Sequence, residues 1–216
     1  YQGAYGYDKD YIIVGDTLAE HMVTSPFLAY SPAAKVEVKE GEVLANVMLP
    51  YFGRTYGTYC GHKNTPYNRD DFDHAAAVKN GNAVYLAHKL GWIYKKFGSA
   101  YHRQYFLNAL RQIYKASAFQ VEMPSAGRAA MNFQEEENRF CLNLLYASPI
   151  SRGAVEVIED VVPLYNISCC VYTEKKISRV YLGVGKEELP FTQRNGEVRF
   201  TVPYLHYHQT VVLDIE

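Results

Sequence analysis

The chain has 216 residues, 48% of them hydrophobic and 21% charged, and 22 Lys and Arg against 23 Asp and Glu give a net charge of −1. This composition excludes a disordered chain, and the near-zero charge argues against a nucleic-acid binder, which normally carries a basic stripe. No apolar run approaches the roughly 18 residues of a membrane helix, and at roughly 100–200 residues per domain the length allows one large domain or two small ones.

The opening, Tyr1 to Asp8, has no basic stretch followed by an apolar one and no initiator Met. It resembles neither a signal peptide nor a natural start, so a cut fragment or a processed precursor is expected, and no compartment is indicated. Tyr11 to Val14 reads as a short buried strand and Val43 to Leu49 as another. Ala75 to Val78 and Ala83 to Ala87 read as two strands joined by an Asn80-Gly81 turn. The period then becomes helical. Leu90, Ile93, Tyr94 and Phe97 recur at i, i+3, i+4 and i+7, and Phe106, Leu110, Ile113 and Tyr114 form a second stripe. Gly98 predicts a break between the two helices, with Ser99 as N-cap of the second.

Charge and period both change near Ser117. Residues 1–117 carry 13 basic and 10 acidic side chains, a net of +3, whereas 118–216 carry 9 and 13, a net of −4. The second half reads as short alternating strands: Arg139 to Tyr146, Ile167 to Tyr172, Arg179 to Leu182, and a hairpin from Thr192 to Val202 with Asn195-Gly196 at its tip. Val198, Phe200 and Val202 should face inward there, with Arg199 and Thr201 in water. Val211, Leu213 and Ile215 repeat the inward pattern in the last strand. Together these strands predict an antiparallel β-sandwich, with the linker between the two parts close to Tyr114 to Phe119.

Cys60, Cys141, Cys169 and Cys170 contain no C-x-x-C pair, so neither a disulfide framework nor a zinc ribbon is expected. The adjacent Cys169 and Cys170 should point to opposite faces of one strand.

Four segments carry a family resemblance: Val47 to Gly57 with Cys60 to Pro66, Lys79 to His88, Val157 to Asn166, and Val202-Pro203 with His208 to Leu213. In this order they resemble the C-terminal region of bacterial glycoside hydrolases of the beta-galactosidase-like and alpha-L-fucosidase-like kind. The resemblance implies a catalytic (β/α)₈ barrel first, then a flavodoxin-like trimerisation domain related in fold to class I glutamine amidotransferases, then a small β-sandwich. This chain would supply part of the flavodoxin-like α/β domain (residues 1–117) and the all-β sandwich (residues 118–216). The barrel that carries the chemistry would be its missing partner.

Glycoside hydrolysis needs two carboxyl groups about 5–5.5 Å apart for retention or 6.5–9.5 Å for inversion. Glu135-Glu136-Glu137 and Glu187-Glu188 sit beside turn residues, where solvated loops explain them better than catalysis does. No catalytic residue, cofactor or metal is therefore assigned. Cys60, His62 and His88 permit an amidotransferase-like nucleophile or a three-ligand metal site, but the strand–elbow–helix setting of an activated thiol is missing. Tyr51, Tyr56, Tyr59 and Tyr67 cluster in sequence around Arg54, His62 and Asn64; Tyr51, Arg54, Tyr56, Tyr59, His62, Asn64 and His88 are candidate sugar-lining or interface residues, since Tyr joins apolar area to a polar tip. Tyr204, His206, Tyr207 and His208 form a smaller aromatic cluster. Asn166-Ile167-Ser168 matches a glycosylation sequon that carries little meaning in a bacterial protein. The function expected is structural: capping a barrel and joining subunits. A freestanding carbohydrate-binding module is the first rival. A partial flavodoxin-like sheet would leave apolar surface uncovered, so a homo-oligomer formed through residues 1–67 is expected, without nucleic-acid or membrane partners.

Overall fold

The computed structural model describes residue 1, residues 9–114 and residues 117–216, with the backbone alone described for residues 70–73. Most of the opening segment, and positions 115 and 116 of the expected linker, lie outside the described residues. Strand makes up 45% and helix 11% of the chain, which divides into two compact units, Tyr1–Lys115 and Ala116–Glu216.

In the first unit, β1 (Tyr11–Val14) is followed by a 3₁₀ turn (Asp16–Leu18), β2 (Phe27–Leu28), β3 (Glu42–Pro50), β4 (Tyr67–Asn80) and β5 (Ala83–Leu86). Two helices close the unit, α1 (Leu90–Phe97) and α2 (Ala100–Arg111). The sheet runs β2-β1-β3-β4-β5, and each of these pairs is antiparallel. This corrects the flavodoxin-like expectation, which requires parallel strands. The reason lies in the connections. Parallel neighbours need a crossover of a dozen or more residues between them, usually a helix, whereas β4 and β5 are joined by two residues and both helices come after β5. The strands expected at Tyr11 to Val14, Val43 to Leu49 and Ala83 to Ala87 are present; their class is antiparallel.

The core of this unit gathers Ile12 from β1, Leu44 and Val47 from β3, Ala76 from β4, Ile93 from α1 and Tyr105 from α2, each 0–1% exposed. Gly98 ends α1 in the left-handed conformation (φ 62°), its N–H bonded to the Tyr94 carbonyl, the geometry that favours Gly at a helix terminus. Ser99 occupies the N-cap of α2, but its hydroxyl meets Nδ1 of His102 at 2.7 Å and makes no bond to the helix backbone. The stripe that announces α2 in the sequence is also not the stripe that is buried. Phe106, Leu110, Ile113 and Tyr114 are exposed, while His102, Tyr105, Asn108 and Ala109 face the core. Hydrogen bonding fixes this phase: Asn108 Nδ2 donates to the carbonyls of Leu18 (2.9 Å) and Glu20 (2.7 Å).

The second unit contains β6 (Phe119–Val121), β7 (Arg128–Gln134), β8 (Arg139–Tyr146), β9 (Ile150–Arg152), β10 (Val155–Val157), β11 (Leu164–Tyr172), β12 (Ile177–Leu182), β13 (Phe191–Arg194), β14 (Glu197–Leu205) and β15 (Tyr207–Ile215). They form sheets β13-β14-β11-β6 and β12-β15-β8-β7, plus the small pair β10-β9. Leu142 and Leu144 of β8, Val171 of β11, Val198 and Val202 of β14 and Leu213 of β15 share one core between the two larger sheets, each fully buried, as a sandwich requires. Asn195 (φ 51°) and Gly196 (φ 76°) make the hairpin tip left-handed at both central positions, matching the twist of the flanking strands. Arg199 and Thr201 face outward, as their alternation with Val198, Phe200 and Val202 demands. Cys169 faces the main core, and burial pushes its thiol up to about 12, with Cys170 and Glu122 adding to the rise. Cys170 is also buried, on the other side of the strand.

Candidate functional site

The segment entering β1 separates two environments by strand alternation. Asp10 and Ile12 are fully buried, while Lys9 and Tyr11 line a surface pocket of about 80 Å³. The opposite wall is the loop of residues 51–66 between β3 and β4. Its ends are tied by Tyr51 N–H donating to the Pro66 carbonyl at 3.0 Å, and Arg54 Nη1 crosses it to the Lys63 carbonyl at 2.9 Å. Lys9 Nζ donates to Asn64 Oδ1 at 3.0 Å, and the Tyr11 hydroxyl to the Thr65 carbonyl at 2.7 Å, so Lys9 and Tyr11 both hold the loop. The Tyr67 ring meets that of Tyr11 edge-on at 5.3 Å. Burial, with smaller contributions from Cys60 and Tyr67, raises the Tyr11 phenol above its usual range and keeps it a donor.

Lys9, Arg54 and Lys63 all line this pocket, and among the described residues no carboxylate does. Pro50 and Phe52 supply apolar wall, and Thr65 is buried with its hydroxyl unpartnered. The arrangement can hold a small polar ligand and favours negative charge.

The structure splits the candidates read from sequence. Arg54 and Asn64 line the pocket. Tyr51, Tyr56 and Tyr59 project into solvent, 61%, 103% and 71% exposed, and none of them is a pocket wall. His62 is exposed, and its carbonyl, not its ring, accepts from Cys60 Sγ at 3.4 Å. His88 is nowhere near solvent. Its wholly buried Nε2 lies 2.6 Å from Asp10 Oδ1, whose other oxygen accepts from Ala33 N–H at 2.7 Å. The pair pins the start of β1 to the β5–α1 junction and cannot meet a ligand at the surface. Cys60 Sγ meets the backbone carbonyls of His62 and Asn64, and among the described residues no group of three or more His, Cys, Asp or Glu could hold a metal. Lys9, Tyr11, Lys63 and Thr65 were not singled out by sequence. The signal available was the alternation of Lys9 and Tyr11 with Asp10 and Ile12.

The sandwich carries a second surface feature. Tyr165, Tyr204 and Tyr207 are exposed, and with His206 they form a row of rings: 5.4 Å from Tyr165 to Tyr204, 6.1 Å from Tyr204 to His206 in a stacked arrangement, and 5.1 Å from His206 to Tyr207. Tyr207 holds φ at 68°, uncommon for a bulky residue. The expected acidic pairs are solvated: Glu135 to Glu137 form the β7–β8 turn, and Glu188 bonds Arg179 at 2.9 Å.

Comparison with protein-family models and with curated proteins finds no match. Among solved structures, α-L-fucosidase isoenzyme 2 from Paenibacillus thiaminolyticus is 29% identical with a TM-score of 0.88; the alignment covers 99% of this chain and 33% of that one. The chain thus spans about a third of the length of the fucosidase it resembles. A cycloisomaltooligosaccharide glucanotransferase from Paenibacillus sp. aligns over 55% of this chain and 21% of its own at 16% identity, with a TM-score of 0.32 that is too low to indicate a shared fold. The chain is therefore similar to one portion of a glycoside hydrolase.

Proposed function

We propose that this chain is the non-catalytic, C-terminal region of a glycoside hydrolase, working with a catalytic barrel that it does not itself contain. The observation that carries this reading is the match of nearly the entire chain to one third of an α-L-fucosidase. Two further facts support it. Asp10 is the buried carboxylate among the described residues, and it is committed to His88 and Ala33. The acidic pairs sit at exposed positions, whereas glycosidase chemistry needs two carboxyl groups set opposite one another. In this reading the exposed Tyr51, Tyr56 and Tyr59 of the 51–66 loop, and the apolar face of α2, meet other parts of the enzyme or a second copy of it. The test is a panel of 4-nitrophenyl glycosides, including the α-L-fucoside and the β-galactoside, offered to the 216-residue chain. No turnover above buffer is expected. Turnover abolished by replacing two of its own carboxylates would overturn the reading.

The ring row on the sandwich favours a second reading, a carbohydrate-binding module. Tyr faces present apolar area to the C–H face of a sugar and a hydroxyl at the rim. Retention of the chain on an immobilised glycan, lost in Tyr165→Ala and Tyr204→Ala, would favour this reading.

A further inference from the structure

We propose that the pocket beside β1 binds the carboxylate of an acidic sugar, a uronic acid. The charge count comes first. Lys9, Arg54 and Lys63 line one surface pocket of about 80 Å³, and among the described residues no carboxylate shares it. The partners of the first two are neutral: Lys9 Nζ bonds the Asn64 amide oxygen, and Arg54 bonds the Lys63 carbonyl. These bonds fix where the charges sit without cancelling them. The three like charges repel one another, and an anion in the pocket would be attracted by all three. Ion pairs and hydrogen bonds to a carboxylate or sulfate oxygen are also the strong kind, because the donors are charged.

Thr65, 6% exposed, closes the floor of the same pocket, its hydroxyl shut away from solvent.

The rest of the wall separates an acidic sugar from a bare ion. Pro50 and Phe52 give apolar surface, and the Tyr11 ring is held in place by its hydroxyl bond and by Tyr67. An inorganic ion would leave that surface unused, whereas a pyranose ring would cover it. Because Lys9, Tyr11 and Arg54 are already held by hydrogen bonds, their share of the ordering cost of binding is small. The oxyanion site rests on the pocket alone; the choice of a sugar as its carrier rests on the glycoside hydrolase reading.

Isothermal titration of the 216-residue chain with glucuronate, glucose and inorganic sulfate tests both parts, repeated with Arg54→Gln and Lys63→Gln. Lys63→Gln keeps the carbonyl that Arg54 uses, so its thermal melt should match the wild type and show that the loop is intact. Saturable glucuronate binding is expected, with glucose and sulfate at least tenfold weaker and each variant weakening glucuronate about tenfold, or about 1.4 kcal/mol. Glucuronate binding no tighter than glucose, or unchanged in both variants, would overturn the site. Sulfate binding as tightly as glucuronate would overturn the sugar as carrier. Neither result bears on the glycoside panel, so failure of this proposal and failure of the functional reading are separable.

Discussion

Replacing Asp10 by Ala should destabilise the first unit more than any surface change on the same strand. The carboxylate serves two donors in a region closed to water: His88 Nε2 at 2.6 Å and Ala33 N–H at 2.7 Å. Alanine leaves both without a partner. Each orphaned buried group costs about 1–3 kcal/mol, and breaking a buried pair by removing one member costs about 3–5 kcal/mol, so a loss of about 3–5 kcal/mol is expected. Against a total stability of about 5–15 kcal/mol, that is a large fraction. In a unit of this size each kcal/mol moves the melting temperature by about 4–8 °C, so the melt should fall by at least about 12 °C. The control is the neighbouring Lys9→Ala. Lys9 points the other way, to the pocket, and its removal should change stability by no more than about 0.5 kcal/mol. Urea denaturation followed by far-ultraviolet circular dichroism gives both values. An Asp10→Ala variant within about 1 kcal/mol of wild type would refute the claim that this pair anchors the unit.

Other outcomes follow from the same structure. Burial, then the nearby His88, lowers the His102 pKa to about 4. The folded state thus binds a proton less readily than the unfolded state, so stability is full above about pH 6.5 and declines as pH falls toward 4, by about 2–3 kcal/mol; a melting temperature unchanged between pH 7.5 and 4.5, or an equal decline in His102→Gln, would contradict this. Gly41 has φ 113°, and a Cβ there would stand 2.5 Å from the Lys79 carbonyl oxygen, so Gly41→Ala should cost at least about 1–3 kcal/mol in chemical denaturation, and a neutral result would be inconsistent with the turn. Cys141, Cys169 and Cys170 are buried free thiols, so mass spectrometry after iodoacetamide treatment of the native chain should find labelling confined to Cys60. The exposed stripe Phe106, Leu110, Ile113 and Tyr114 is expected to mediate association. Light scattering should show the Phe106→Glu, Leu110→Glu double variant shifted toward monomer, and no change of mass with concentration in the wild type would remove that role.

Local pattern made most individual elements legible. Asn195-Gly196 announced its hairpin because a two-residue turn in that conformation demands those residues, and Gly98 separated the helices for the same kind of reason. Strand direction was not legible. Nothing in a run such as Tyr11 to Val14 records whether its neighbour is parallel; that depends on where the helices fall, and both follow β5. The buried face of α2 was misleading for a different reason. Its core side includes His102 and Asn108, polar groups that are buried because the Ser99 hydroxyl and the Leu18 and Glu20 carbonyls satisfy them. The pocket was half legible. Arg54 and Asn64 came from a recognisable segment, but Lys9 lies some 40 residues earlier in sequence, and only the β1–β3 pairing brings it to the loop. His88 was misplaced because a lone histidine at a strand end gives no sign of the buried Asp10 that holds it.

Hydrolysis of the 4-nitrophenyl glycoside panel tests the central claim most directly, measured on the full polypeptide encoded by the reading frame that contains this chain, on the same polypeptide lacking residues 1–216, and on the chain alone. The full polypeptide should turn over substrate, the shortened one should lose most of that activity, and the chain alone should be inert. Activity in the chain by itself, or a reading frame that encodes no catalytic portion beyond these residues, would contradict it.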